Sequence, residues 1–318
     1  MSGRRVEDGI YKIAKHIKLV DPDIVALQEV DTPEILRNIT KRLGGSWTAH
    51  FGSAIYSDVG ILTKHKILKI GQAETMRKYI ASPFDQMRFK TNKINVNRNS
   101  AISTSILLDN GLVVNFWTLH LDYKSMGPDA ANNRMVTSKD QIMFGEDNGT
   151  PNCRVGEVND VINHEIFQQS LNEADTNPVI LCGDFNSPSH LDWIEENKKI
   201  HGGWVIEWPS TKLLTDKANL IDSFRKIHPD PIKEPGNTWS TVEKFVGPEW
   251  GYKIPIQQDR FDFIFYRGAR IEPINSFMYG GAEELKPIPN QFQNDYPSDH
   301  YAVVTDFVIR PSGGGFKI

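Results

Sequence analysis

The chain has 318 residues, a formal net charge of -4 and two cysteines. An acidic balance argues against a protein that binds nucleic acid nonspecifically, because such proteins carry a basic face, and two cysteines form no disulfide framework. No apolar stretch is long enough to cross a membrane and no signal peptide is visible, which favours the cytoplasm for the chain as given.

The length is compatible with one large α/β domain, placed at residues 1–310 and followed by a flexible tail at 311–318. Two groups of cations leave a local basic patch open, although a solvated strand or loop face is their commoner role. These groups are Lys64, Lys66 and Lys69, and Arg77, Lys78 and Arg88.

The first predicted elements are a helix, a strand and a second helix. Apolar residues recur at helical spacing over 5–20, and Thr32-Pro33 predicts the start of a second helix that runs through Leu43. Between them, the short apolar run 23–27 is typical of a strand. Glu29 follows this strand, at the end where open α/β sheets place ligands, although a carboxylate at a helix start is an equally common arrangement.

Further strands are predicted at 60–63, 67–73, 100–108 and 113–119, and the last of these leads into His120. A lone histidine is more often a hydrogen-bonded core residue than a functional one. Helices are predicted near 156–171 and 189–199.

A buried strand over 178–183 ends in Asp184-Phe185-Asn186. Gly183 frees the backbone to turn, so that Asp184 and Asn186 project from one face. The competing interpretation is that both are Asx-turn residues.

Two further acids lie near the end of the chain. Asp262 interrupts the aromatic strand 260–266, where a carboxylate is costly without a partner, and Arg260, Arg267 or a histidine would each serve. Asp299 and His300 precede a strand over 302–308, so that their side chains point to opposite faces.

One chemistry explains these strand-end residues together. Hard divalent cations such as Mg2+, with Mn2+ as an alternative, bind one or two carboxylates and keep several waters, which suits Glu29 and Asp299. A histidine oriented by a buried acid carries protons near neutral pH, which suits His300 with Asp262.

Five strings in this order resemble the endonuclease/exonuclease/phosphatase superfamily, whose members include pancreatic-type deoxyribonuclease and neutral sphingomyelinases. The resemblance runs from about Asp21 to Phe307 and implies a four-layer α/β sandwich of two mixed β-sheets flanked by helices. The strings are ALQEV at 26–30, TLHLD at 118–122, LCGDFNSP at 181–188, RFDFIF at 260–265 and SDHYAV at 298–303.

The resemblance implies a Mg2+-dependent phosphoester hydrolase in which water attacks phosphorus in line. Glu29 would hold the metal with Asp299 beside it, and Asp184 would orient the attacking water. Asn186 would bond that water or a phosphate oxygen. His300, paired with Asp262, would carry protons or contact the phosphate, and His120 would donate a hydrogen bond to the phosphate from the other side.

One departure concerns the start of the chain. The family has a strand with an asparagine upstream of the Gln-Glu motif, whereas this chain enters a helix almost at once and has no asparagine before Asn38. We therefore expect the first strand to be lacking. A lost leader, and with it secretion, stays open on the same ground.

The substrate is left open between a small molecule, a lipid headgroup and nucleic acid, and no obligate protein partner is inferred. Leu181-Cys182 and Gln258-Asp259-Arg260 depart from the 5-phosphatase pattern, which disfavours inositol phosphates. A deoxyribonuclease-like nuclease, a sphingomyelinase-like phosphodiesterase and a non-catalytic binding protein remain as alternatives. Three long loops, at 77–97, 123–155 and 283–297, are the expected determinants of substrate choice.

Overall fold

The computed structural model describes residues 6–52, 58–74, 79–80, 95–96, 99–124, 127–149 and 153–311. No helix in these ranges combines the length and apolarity needed to cross a membrane. The α-helices are α1 (Gly9–Val20), α2 (Pro33–Leu43), α3 (Gly127–Asn132), α4 (Lys139–Met143), α5 (Arg154–Asn163), α6 (Glu165–Asn172), α7 (Pro209–Ala218) and α8 (Ser223–Ile227), with short 3-10 helices at Glu195–His201, Pro248–Trp250 and Gln291–Gln293.

The strands are β1 (Ile24–Leu27), β2 (Thr48–Phe51), β3 (Gly60–Thr63), β4 (Lys66–Glu74), β5 (Tyr79–Ile80), β6 (Asn95–Val96), β7 (Asn99–Leu107), β8 (Val113–His120), β9 (Val179–Asp184), β10 (Ile221–Asp222), β11 (Asp262–Arg267), β12 (Ile271–Tyr279) and β13 (Ala302–Ile309). Six of them form a mixed sheet in the order β10-β11-β9-β8-β7-β4, in which only β8 and β9 run parallel among the described pairs. The second sheet layer consists of the antiparallel groups β1-β3-β2 and β12-β13.

Three apolar clusters separate four layers. On β8, Trp117 and Leu119 pack toward α5, α6 and α7, whereas Val114 and Phe116 pack toward the second sheet layer. The third cluster joins α1 and α2 to β1 and β3. The strands at the centre are buried on both faces, as expected for a sheet covered on each side. The predicted four-layer α/β sandwich is therefore confirmed.

Several predicted elements differ from the structure. One helix was predicted at 156–171, but His164 leaves the helical conformation and its Nδ1 accepts the amide of Ile166, so that α5 and α6 are separate. A helix was predicted at 189–199, but the structure has a 3-10 helix at Glu195–His201. The predicted loop at 123–155 contains α3 and α4, and the predicted loop at 77–97 lies largely outside the described residues.

The start of the chain is described from residue 6 onward. Helix α1 is the first element in the described part, and β1 is the first strand there. Whether a further strand belongs before α1 stays a prediction, as do the domain boundaries and the flexible tail.

Candidate active site

Three site residues lie side by side at the ends of adjacent strands. In the parallel pairing of β8 with β9, His120 is opposite Asp184, and in the antiparallel pairing of β9 with β11, Asp184 is opposite Asp262. Residues at one register position share a face of the sheet. The strand pairing alone therefore brings together residues more than 60 positions apart in the chain.

A tight turn after β9 fixes Asp184 and Asn186. The Asp184 Oδ1 accepts the amide of Asn186 at 2.8 Å, and the Asn186 Nδ2 donates to the carbonyl of Leu121 at 3.0 Å. Gly183 has a φ of 154°, and a Cβ built there would lie 2.0 Å from the Leu119 carbonyl oxygen. Only glycine fits this close approach of β9 to β8. The Asx turn, weighed above as an alternative, is thus present at the same residues as the cluster.

His300 forms a hydrogen-bonded pair with Asp262. Its Nδ1 lies 2.8 Å from the Asp262 Oδ2, and its Nε2 lies 3.9 Å from the Asp184 Oδ2. Burial alone would lower the pKa of His300, but the carboxylates of Asp262 and Asp184 raise it to about 10. The two predicted arginines have other partners: Arg260 forms ion pairs with Asp192 and Asp222, and Arg267 donates to the carbonyl of Ala218.

His120 forms a second pair of the same kind with Asp58, a residue that the sequence did not single out. The His120 Nδ1 lies 2.9 Å from the Asp58 Oδ2, and the His120 Nε2 lies 3.6 Å from the Asp184 Oδ2. Asp58 lies two residues before β3, which pairs antiparallel with β1, so it lies beside the residues that follow β1. That pairing, once known, is the signal that would have found it.

Asp184 lies between the two histidines. Burial and the neighbouring Asp262 carboxylate raise its pKa to about 6, although both histidines and the Asn186 amide act in the opposite direction. The distances to the two Nε2 atoms are too long for hydrogen bonds. The carboxylate is therefore held by its turn and by charge attraction, with two imidazole edges directed toward it.

Glu29 borders this group from the other sheet layer. It adopts a φ of 56° two residues after the end of β1, and its neighbour Val30 donates its amide to the Asp58 carbonyl at 2.7 Å. Gln28 Nε2 donates to Thr118 Oγ1 at 3.0 Å, which joins β1 to β8. Glu29 as a whole residue is exposed. Partial desolvation of its carboxyl acts to raise the pKa, but nearby positive charges, His120 and His300 among them, lower the pKa overall.

Asp299 is buried next to His300. Its carbonyl accepts Ser240 Oγ at 2.9 Å and the amide of Thr241 at 2.7 Å. Thr238 joins this segment to β11, because its carbonyl accepts the amide of Tyr301 and its Oγ1 accepts the amide of Asp262 at 3.0 Å. All seven residues predicted for the site thus lie on the ends of neighbouring elements, and their roles stay predictions.

The donor set suits a divalent cation. Ligand atoms of Asp184, Asp262 and His300 all lie within 4.8 Å of one another, and this is the one such group in the described ranges. The Asp262 and Asp184 carboxylates favour the charged form of His300, in which neither ring nitrogen has a lone pair for a metal. The acidic oxygens of the site, with Glu29 on its open side, therefore fit a hard cation better than His300 does.

A four-layer α/β sandwich with acids and histidines gathered at its central strand ends defines the class of this protein. A model of the Endonuclease/Exonuclease/phosphatase family matches residues 8–300, and the chain belongs to this family. The "Uncharacterized protein F14F9.5" of Caenorhabditis elegans is 43% identical over 308 residues, which cover 97% of this chain and 88% of that protein.

Solved structures share the fold at low sequence identity. A D. rerio TDP2 structure complexed with a single-strand DNA product has a TM-score of 0.53 at 18% identity and covers 94% of this chain and 90% of its own. The human Nocturnin catalytic domain with bound sulfate has a TM-score of 0.51 at 15% identity, with 96% and 88% covered. The mannosyl-6-phosphatase Bt3783 of Bacteroides thetaiotaomicron has a TM-score of 0.51 at 16% identity, with 95% and 92% covered.

Proposed function

We propose that this protein is a metal-dependent hydrolase of phosphoester bonds in which Asp184 orients the attacking water. The observation that carries the proposal is the arrangement around Asp184. Two imidazole Nε2 atoms, at 3.6 and 3.9 Å, face its carboxylate, and each imidazole is oriented by its own acid. The named relatives, which include a phosphatase and a protein bound to a DNA product, support phosphoester chemistry as the class.

The proposed role of each side chain follows from its protonation state. The charged imidazole of His300 is a donor to an anionic phosphate oxygen, and Asp262 keeps it charged and oriented. His120, held by Asp58, donates from the other side of Asp184. Asp184 takes a hydrogen bond from water, and its pKa of about 6 suits a base near neutral pH. Asn186 bonds the water or a phosphate oxygen.

Glu29 and Asp299 would hold the cation, for which Mg2+ is the proposed identity because the donors are oxygens. When bound, the cation supplies charge stabilisation to the phosphate oxygens. A noncatalytic binding protein on the same fold would not need two oriented histidines converging on a buried carboxylate. This arrangement favours the enzyme.

The test is hydrolysis of a nitrophenyl phosphodiester by the purified protein with Mg2+, alongside plasmid DNA, sphingomyelin and a sugar phosphate. Asp184→Asn should lower turnover by at least about a hundredfold, the scale of general acid-base effects. The matched control is Asp259→Asn. Asp259 is another buried acid, and its Oδ1 accepts a hydrogen bond from Trp193, away from the residues around Asp184. Equal activity of wild type and Asp184→Asn would contradict the proposed role. Absence of turnover on all four substrates would favour a binding protein.

A further inference from the structure

The four residues that follow β8 form an unusually well anchored segment, Leu121 to Lys124. Leu121 donates its amide to the Asp184 carbonyl at 2.9 Å and accepts the Asn186 Nδ2 at 3.0 Å. Asp122 donates its amide to the buried Glu157 Oε2 at 2.7 Å, and Lys124 donates its amide to Asp122 Oδ1 at 3.0 Å. The backbone next to the catalytic group is therefore fixed on both sides of Tyr123.

A buried guanidinium strengthens this anchoring. Arg154 NH1 donates to the carbonyls of Asp122 and Lys124 at 2.8 Å each, so that it brackets Tyr123. Arg154 is itself fully buried and bonds Glu146 through Nε at 2.7 Å. A buried ion pair of this kind costs desolvation energy and is not in itself strong evidence for stability. Nη1 of Arg154 holds this surface segment in place, while Nε and Nη2 pair with Glu146.

Tyr123 is the residue that this anchored segment presents. Its side chain is 66% exposed, although the backbone around it is fixed. Tyr123 lies three positions after His120, so the two Cα atoms are at most about 11 Å apart. Other exposed aromatic residues, such as Tyr11 and Phe292, lie on elements that carry none of the site residues.

We propose that Tyr123 is a substrate-positioning residue that stacks on a planar ring, such as a nucleobase, of a phosphoester bound at the site. The inference rests on the proposed function and narrows its substrate class to esters that carry such a ring. Tyrosine offers a large flat surface with few rotatable bonds, and a fixed backbone reduces the ordering cost of binding. A stacked ring adds affinity without any basic face, which agrees with the net charge of -4.

The experiment compares two phosphodiesters with the same leaving group, thymidine 5′-(4-nitrophenyl phosphate) and methyl 4-nitrophenyl phosphate. Wild type should prefer the thymidine ester in kcat/KM. Tyr123→Ala should lower the ratio of the two kcat/KM values by about fivefold to a hundredfold, the range for loss of one aromatic stacking contact, mainly through KM of the thymidine ester. Tyr123→Phe keeps the ring and should keep the ratio.

Tyr11→Ala is the matched control, because Tyr11 is 59% exposed on α1, outside the site. An unchanged ratio in Tyr123→Ala, or an equal change in Tyr11→Ala, would overturn the inference while hydrolysis itself upholds the proposed function. If wild type hydrolyses neither ester, the proposed function is judged on the four-substrate screen described above instead. Calorimetric titration with thymidine monophosphate and methyl phosphate then decides the stacking role, since Tyr123→Ala must weaken only the former.

Discussion

Two regions of this molecule place a histidine beside an aspartate, and they shift the pKa of the histidine in opposite directions. In the active-site group, His300 bonds Asp262 at 2.8 Å and its pKa rises to about 10. In a second group, which we call the closed cluster (Trp193, His201, Gln257 and Asp259), the His201 Nδ1 lies 4.0 Å from the Asp259 Oδ1, and burial lowers the His201 pKa to about 4.

The difference follows from what each imidazole meets. The amide of Gln257 donates to the His201 Nδ1 at 3.1 Å, which requires a neutral ring with a lone pair there, and the ring stacks on Trp193 at 4.3 Å. The Asp259 Oδ1 accepts a hydrogen bond from Trp193 Nε1 at 3.0 Å rather than from the histidine. The side chain of His300 is 23% exposed and that of His201 6%. A histidine next to an aspartate is therefore not enough to identify a functional site. The hydrogen-bond partners of the imidazole and its solvent exposure distinguish the two groups.

Metal removal should separate the two regions most strongly. Chelator should abolish turnover, because the acidic group around Glu29 would lose the cation that balances it, and Mg2+ or Mn2+ should restore it. Glu29→Gln should raise the metal concentration needed for half-maximal activity. The control is the thermal unfolding of Asp259→Asn in the same buffers, with chelator and with metal restored, because no cation is proposed for the closed cluster. Full turnover in excess chelator would remove the basis for the comparison.

The histidine pair gives the next largest effect. His300→Ala and Asp262→Asn should each slow turnover by at least about a hundredfold, because the charged donor is lost or misoriented. Their losses should not multiply in the double variant, since the two residues act as one unit. Steady-state kinetics of the three variants at saturating substrate measures this. Losses that do multiply would show independent roles.

A smaller effect is expected at Asp58. Asp58→Ala removes the acid that orients His120 without touching the substrate, and we expect a loss of about tenfold, as for other residues that orient a functional histidine. Asp58→Asn, which keeps a hydrogen-bond acceptor, should recover part of that loss. If Asp58→Ala is as slow as His120→Ala, the acid does more than orient the ring.

The smallest effect tests the closed cluster itself. Burial raises the pKa of Asp259 well above its usual value, so the wild-type fold holds a proton that the unfolded chain releases as pH rises above about 4. Stability due to this group is complete below that pH and is lost as pH rises toward the folded pKa. Asp259→Asn lacks this loss of stability. The difference between its urea midpoint and that of wild type should therefore increase from pH 4.5 to pH 8, and its activity should be unchanged. A constant difference would contradict the assignment.

The sequence was sufficient for the residues whose neighbours in the chain define strand ends. His120, Asp184 and Asp262 each follow or begin an apolar run, and the sheet aligns them because its strands share one register. Helix α2 begins and ends at Pro33 and Leu43 as predicted, since proline and glycine mark its boundaries locally. Local signals therefore predicted most of the residues that the structure brings together in the candidate site.

Features that depend on distant contacts could not be predicted in this way. Asp58 lies before an ordinary short strand, and its role follows only from the pairing of β3 with β1. The helix expected at 189–199 is replaced because Asn197 caps the Ile194 amide at 3.0 Å and bonds the Asp192 carbonyl at 2.8 Å, while Trp193 is drawn to Asp259. Tertiary contacts here override local propensity.

The alignment of His120, Asp184 and Asp262 across three strands also has a consequence for folding. These strands are separated by 58 and 77 residues of chain between the ends of one and the start of the next, and such nonlocal pairings form slowly because loop closure comes before any stabilising contact. Under the proposed mechanism, turnover requires all three strands to be paired. Recovery of activity during refolding should therefore lag behind recovery of the helical circular dichroism signal. The rate at which activity returns would then measure the pairing of the last strands of the sheet to assemble.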